Sequence, residues 1–218
     1  MIQKMSDIPS DSAEISSAKG KGRPRAFDRT KALEQALEVF WRRGYEPASI
    51  SELCVAMEIN PPSLYAAFGS KMQLFMEAVS YYETTYWDAT WDKMAENPDI
   101  HSAMSDFFHD AAHILTSRST PCGCLVISAA TNVSVESEKI NNALKALRKE
   151  SYDWFLARIQ RGIKDGQINA DTDAEGLATA LYAVLKGMSL AARDGTSHAM
   201  LDRSVTVAMA MLSASGIA

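Results

Sequence analysis

The chain has 218 residues, 47% of them hydrophobic, and a formal net charge of −5, which suits a small domain followed by a larger one with a buried core. No run of 18 or more apolar residues occurs, so no helical membrane span is expected. Three cysteines, an odd count without a secretory cue, point to the cytoplasm rather than to a disulfide framework.

Residues 1–21 read as a disordered arm without a signal peptide, polar and Ser-rich at first and basic at its end. Between Lys19 and Lys31 lie six basic residues and one acid, a local charge of +5 that leaves −10 on the rest. A basic footprint confined to one end of an acidic protein suits a nucleic-acid partner. Lys19 to Arg25 is broken by Gly20, Gly22 and Pro24, so it fits a flexible arm whose Arg23 and Arg25 enter a minor groove or lie on phosphates. A solvated linker is the plain alternative.

Asp28–Arg43 predicts an amphipathic helix with Leu33, Ala36, Leu37 and Phe40 along one stripe and Gly44 at its end. Ser49 and Glu52 form a capping box for a second helix, and Ile50, Leu53, Cys54 and Met57 follow at i, i+3, i+4 and i+7. Glu58–Ile59–Asn60 is the turn. Asn60 caps a third helix over Pro61–Phe68, where a proline at the first position loses no hydrogen bond. Leu64 and Phe68 point inward, Gly69 stops the helix, and Ser70 with Gln73 opens the next. Two short helices joined by a tight turn are the layout of a helix-turn-helix, although the same spacing also occurs at corners of ordinary helical domains.

The residues Gly22-Arg23-Pro24-Arg25, Arg43-Gly44-Tyr45, Ser49-Ile50-Ser51-Glu52-Leu53 and Ser63-Leu64-Tyr65-Ala66-Ala67-Phe68-Gly69-Ser70-Lys71 resemble the N-terminal domain of TetR-family transcriptional regulators. The match is dense over Gly22–Val79. The resemblance implies an all-α protein with a DNA-binding domain over 22–71 and a helical effector-binding and dimerisation domain over 72–218. It implies phosphate contacts from Ser49, Ser51, Tyr65 and Lys71, and base or groove contacts from Asn60, Pro61, Pro62, Ser63 and Ala66, with Arg23 and Arg25 in the arm. The chain departs from the family at Pro61-Pro62, where members often carry Lys-Gly, at Ala66, where a larger polar residue is usual, and at Glu58, where glycine is usual. Few strong donors remain on this recognition surface, so thymine methyl groups and DNA shape are expected to carry more of the specificity.

Beyond the helix-turn-helix everything reads helical. One long helix is expected from Ser70 to about Glu96, broken by Asn97-Pro98; others over Ile100–Ser117, from Pro121 to about Val133, and over Glu136–Lys164. Thr172 and Glu175 suggest a capping box for a helix to Arg193, and Ser197–Leu212 closes the series. Leu177, Leu181, Val184 and Met188, then Leu201, Val205 and Leu212, recur at helical spacing beside many small residues, which suggests packing on two sides. One side is the domain core. The other is expected to meet a twofold partner, as the last two helices do in the family.

The resemblance also implies a pocket for a small organic effector, with Trp87, Trp91, Phe108, His113, Thr131, Asn132, Trp154 and Tyr182 as candidate lining. Two other constellations stay open. Cys122 and Cys124 offer a thiol switch, but on a helix residues two apart point about 200° from one another. His109 and His113, at i and i+4, offer half of a metal site without a third histidine. No Ser-His-Asp order, glycine-rich phosphate loop or paired carboxylates argue for an enzyme, and no cofactor is implied. The expected function is that of a homodimeric, effector-responsive DNA-binding regulator, a repressor released from a pseudo-palindromic operator. Thiol- or metal-responsive versions of the same fold, an all-helical enzyme and a helical adaptor with a basic arm are the alternatives.

Overall fold

The computed structural model describes residues 27–129 and 137–214, which form ten helices and no strand. In chain order these are α1 (Arg29–Arg43), α2 (Ile50–Ala56), α3 (Pro61–Phe68), α4 (Lys71–Tyr86), α5 (Asp88–Glu96), α6 (Ile100–Leu115), α7 (Leu125–Ser128), α8 (Glu138–Lys164), α9 (Ala174–Arg193) and α10 (His198–Ala214). The arm carrying Arg23 and Arg25 lies outside the described residues, as do Thr131 and Asn132.

The first four helices share an aromatic core. Phe40 on α1 meets Phe75 on α4 edge to face at 5.0 Å, and Tyr45 closes on the same ring at 5.0 Å. Such a pair contributes about 0.5–1.5 kcal/mol beyond the area it buries. Arg29, counted by sequence among the basic arm, is committed inside the protein. Its guanidinium takes both oxygens of Glu77, lies 4.4 Å over the Phe68 ring and donates to the Ala67 carbonyl at 3.3 Å. It thus ties α1 to α4 and to the end of α3.

In the larger part α6 is the central rod. Ala103, Met104, Phe107, Phe108, Ala111, Ala112 and Leu115 are all buried, so apolar side chains face more than one neighbour. It packs on α10, α5, α9 and α8, while α8 and α9 pack on each other.

Four local expectations are corrected. The helix expected from Ser70 to Glu96 bends at Trp87, whose φ of −118° leaves the ordinary helical value. Its hydrogen bonds continue through the bend, Trp87 N to Glu83 O at 2.9 Å and Trp91 N to Trp87 O at 3.0 Å. The buried indole, donating to Tyr82 Oη at 2.7 Å, takes a direction that a straight helix would not give it. The helix expected from Pro121 does not begin until Leu125, because Gly123 adopts φ +82° and its carbonyl is held elsewhere. Asp99, not Asn97, caps α6, accepting from Ser102 N at 2.7 Å. Asp173, not Thr172, caps α9, accepting from Gly176 N at 3.0 Å.

Candidate nucleic-acid interface and effector cavity

Helix α3 is held by its apolar side and shows its polar side. Leu64 is fully buried and Phe68 nearly so, whereas Asn60, Pro61, Pro62, Tyr65 and Ala66 are exposed and Ser63 is half-buried. Asn60 Oδ1 accepts from Ser63 N at 2.9 Å, which closes the helix start and leaves the amide N–H₂ for another partner. On α2, Ser49 Oγ accepts from Glu52 N at 3.1 Å, while the Glu52 carboxylate pairs with Arg43 at 3.3 Å instead of completing the capping box. Ser51 is exposed beside it.

The turn between the two helices passes through Glu58 at φ +55°, the left-handed region that glycine enters freely. This gives a physical reason for the glycine usual at that position. The strain is local, and Lys31 lies 3.9 Å from the Glu58 carboxylate. An open groove between α2 and α3 is floored by Ile50, Cys54 and Ile59 and rimmed by Ser51, Val55 and Ser63. Val55 is 77% exposed and extends the apolar part of this surface; the sequence pattern did not mark it, because it falls off the apolar stripe of its own helix.

Lys71 opens α4, where its charge opposes the helix dipole. The structure holds it there by other means: Nζ donates to the Glu46 carbonyl at 3.1 Å and sits 4.6 Å over the Tyr45 ring. Burial pushes the ammonium below its ordinary pKa, partly offset by the nearby Glu46 charge. Tyr65 stands on α3 with 48% of its surface exposed.

A second site lies inside the larger part. A small cavity of about 20 Å³, room for one water, is lined by Glu83, Trp87, Trp91, Cys124, Ser151 and Tyr182 with Val126, Ile127 and Leu185. Burial pushes the Glu83 carboxyl up to about 8, helped by the neighbouring charges of Asp88 and Glu150. The Cys124 thiol is pushed to about 12 by burial and then by Glu83, and the Tyr182 phenol to about 12 by burial and then by Cys124. At neutral pH Cys124 is therefore a protonated thiol, not a poised thiolate.

The cavity wall is linked to the DNA-binding end by buried hydrogen bonds. Tyr82 Oη on α4 accepts from Trp87 Nε1 at 2.7 Å and from Leu125 N at 3.4 Å. Cys124 N donates to Ser189 Oγ on α9 at 2.8 Å, and the preceding carbonyl, that of Gly123, accepts from Trp41 Nε1 on α1 at 2.9 Å. Trp41 also packs edge to face on Tyr82 at 4.6 Å and on Tyr86 at 5.4 Å.

The chain matches the model of bacterial regulatory proteins of the tetR family over residues 32–78 and that of the tetracyclin repressor-like C-terminal domain over residues 102–208. It is 35% identical over 183 residues to the HTH-type transcriptional repressor ComR of Escherichia coli, covering 82% of this chain and 86% of that protein. It is 27% identical to the HTH-type transcriptional repressor BdcR of Escherichia coli, covering 87% of this chain and 90% of that protein. Among solved structures, a cysteine mutant of the TetR-family regulator CifR complexed with 26-bp double-strand operator DNA is 45% identical, with a TM-score of 0.83 over 86% of this chain and 98% of that one. The chain belongs to the TetR family of transcriptional regulators.

Within this TetR-family protein the expected pocket residues fall in different places. Trp87, Trp91 and Tyr182 line the cavity. Phe108 is fully buried and stacks on Phe155 at 5.7 Å in the core. Trp154 is half-buried against the core, and His113 is exposed on α6 with its ring 5.9 Å from that of His198. Glu83 and Ser151 join the lining without a sequence signal: each is one polar residue on a long amphipathic helix, and only the bend at Trp87 and the crossing of α8 bring them together. Cys124 lines the cavity while Cys122 is exposed, so the two thiols have separate surroundings. His109 bonds Asp202 at 2.9 Å, and His198 bonds the same carboxylate at 3.2 Å; among the described residues no three His, Cys, Asp or Glu side chains are placed to hold a metal.

Of the stripe expected at the dimer interface, Val184, Met188 and Leu201 line an outward groove between α9 and α10. Leu177, Leu181, Met188, Leu201, Val205 and Leu212 are buried within the protomer's own core, and Val184 is half-buried. The strongest apolar stripe of each helix has gone to the core, as area burial favours. Around this open groove stand Val184, Gly187 and Ala191 on α9 with Met200 and Val207 on α10, beside the polar Arg203 and Ser204.

Proposed function

We propose that this TetR-family regulator is a homodimeric repressor that leaves a pseudo-palindromic operator when a small organic effector binds at the Glu83–Tyr182 cavity and widens it. The observation that carries the reading is α3, capped at Asn60 and anchored by Leu64 and Phe68, with its polar face free for a major groove. The division at residues 22–71 and 72–218 assigns that helix to DNA and the cavity to the effector. Asn60, Pro61, Pro62, Ser63 and Ala66 face base edges; Ser49, Ser51, Tyr65 and Lys71 hold phosphates; Arg23 and Arg25 reach the minor groove. The names of ComR and BdcR as repressors, and the operator DNA bound to CifR, support this assignment.

An effector that binds the released state more tightly shifts the population toward it. Two routes lead from the cavity to DNA: along α4, which runs from Lys71 to the bend at Trp87, and through Gly123 to Trp41 on α1. The twofold partner docks on the outward α9–α10 groove. A mobility-shift assay on DNA from upstream of the chain's own coding region tests the core of this reading. A discrete complex on a pseudo-palindromic fragment, resistant to random competitor DNA, is the expected result. Binding that falls steeply with salt and shows no sequence preference would instead favour a non-specific basic arm.

A further inference from the structure

The cavity carries a mark of its ligand's chemistry. Its lining holds one carboxyl, that of Glu83, and no cation. Among the described residues this carboxyl has no ion-pair or hydrogen-bond partner, and it is half-buried. A carboxyl drawn partly out of water without a partner is short of the hydrogen bonds it makes in solvent. Asp88 and Glu150 add negative potential around it. Two cations touch lining residues without being part of the lining: Arg148 donates to the Val126 carbonyl at 3.0 Å, and Lys186 lies 4.2 Å over the Tyr182 ring. The remaining walls are the indoles of Trp87 and Trp91, 6.3 Å apart, with the hydroxyls of Ser151 and Tyr182. Aromatic faces attract cations, and hydroxyl oxygens accept hydrogen bonds.

We propose that this cavity is a socket for the ammonium head of a small primary amine, with Glu83 as its counter-ion, Ser151 and Tyr182 as acceptors and the two indoles as walls. The inference rests on the effector reading of the same cavity and supplies the class of ligand. Size narrows it further. The space of about 20 Å³ admits a water-sized group such as –NH₃⁺ as it stands, whereas a trimethylammonium head requires the walls to move. With its pKa raised to about 8, Glu83 is largely protonated at neutral pH, so seating the ammonium beside it releases that proton, and binding strengthens as pH rises toward 8.

The test is thermal unfolding of the full chain at fixed ionic strength with n-butylammonium chloride, n-butanol or butyltrimethylammonium chloride. Butylammonium at about ten times its half-saturating concentration raises Tm by roughly 3 °C, and the other two do not. Glu83→Gln, with its own baseline Tm and operator binding recorded, loses that shift. An equal shift with butanol or with the quaternary ion, in the wild-type protein alone, overturns the assignment, as does an undiminished shift in Glu83→Gln. Operator binding read in parallel separates the two claims. No shift in a protein that still binds its operator overturns the amine and leaves the regulator standing. A shift that leaves operator occupancy unchanged supports the socket and removes it from regulation.

Discussion

Glu83 and Lys71 show how burial sets the work of single residues. Glu83 titrates near 8 in the folded protein, against an ordinary value of 4.5. Between those values the native state holds a proton that the unfolded chain has released, so this group's contribution to stability falls as pH rises from about 4.5 to 8. Glu83→Gln removes that dependence. The variant is expected to gain on wild type by on the order of 2 kcal/mol between pH 5 and pH 9, less than full linkage because the carboxyl keeps some contact with solvent. Urea melts at the two pH values check it, and parallel changes in both proteins would contradict it. Lys71 works differently. It is held by the Glu46 carbonyl and the Tyr45 ring at a helix start, and in the proposed function this preset charge meets a phosphate. Lys71→Ala and Tyr65→Ala should weaken binding to all DNA sequences alike, with the salt slope of the lysine variant reduced by about 1, while changes at Pro62 or Ser63 alter preference among operators. Titrations at several salt concentrations decide this. A Lys71→Ala protein that loses sequence preference along with affinity would contradict the division of roles.

Among elements, the helices with strong caps and one apolar stripe were legible in the sequence, and those shaped by distant partners were not. Asn60 before Pro61 and Ser70 before Lys71 act locally, so α3 and α4 begin where the pattern says. The bend at Trp87 and the late start of α7 depend on Tyr82 Oη and on Trp41 reaching Gly123 across 82 residues, which no local pattern encodes. The same limit applies to the sites. The α3 surface follows from one short segment and its family pattern, whereas the cavity joins one or two residues each from α4, α5, α7, α8 and α9 with Trp87 and Cys124 at helix ends. The Trp41–Gly123 bond makes a direct prediction. Trp41→Phe keeps the aromatic packing and leaves a buried carbonyl without its donor, at a cost of about 1–3 kcal/mol. Amide hydrogen exchange at Cys124 and Leu125 should speed up while exchange in α3 stays as it was. Unchanged exchange at those two amides would remove this link from the route between cavity and DNA.

For the whole molecule, the proposed function requires two copies of α3 carried at a fixed separation by a twofold partner. Gly187 lies in the outward α9–α10 groove, and a Cβ placed there meets no atom of its own protomer within 4 Å. Gly187→Glu is therefore compatible with the folded protomer and sets a charge against its own copy across the partner helix. The expected result is a folded monomer by sedimentation with operator affinity reduced at least about tenfold, since two recognition helices then bind as separate units. A stable dimer in this variant would place the interface elsewhere. The most direct test of the paired-helix account is binding to an operator whose two half-sites are moved apart by half a helical turn, about 5 bp, which turns the second half-site to the opposite side of the duplex. The account predicts that specific binding falls to the level of random DNA and returns when the original spacing is restored. Undiminished specific affinity for the half-turn operator would contradict it.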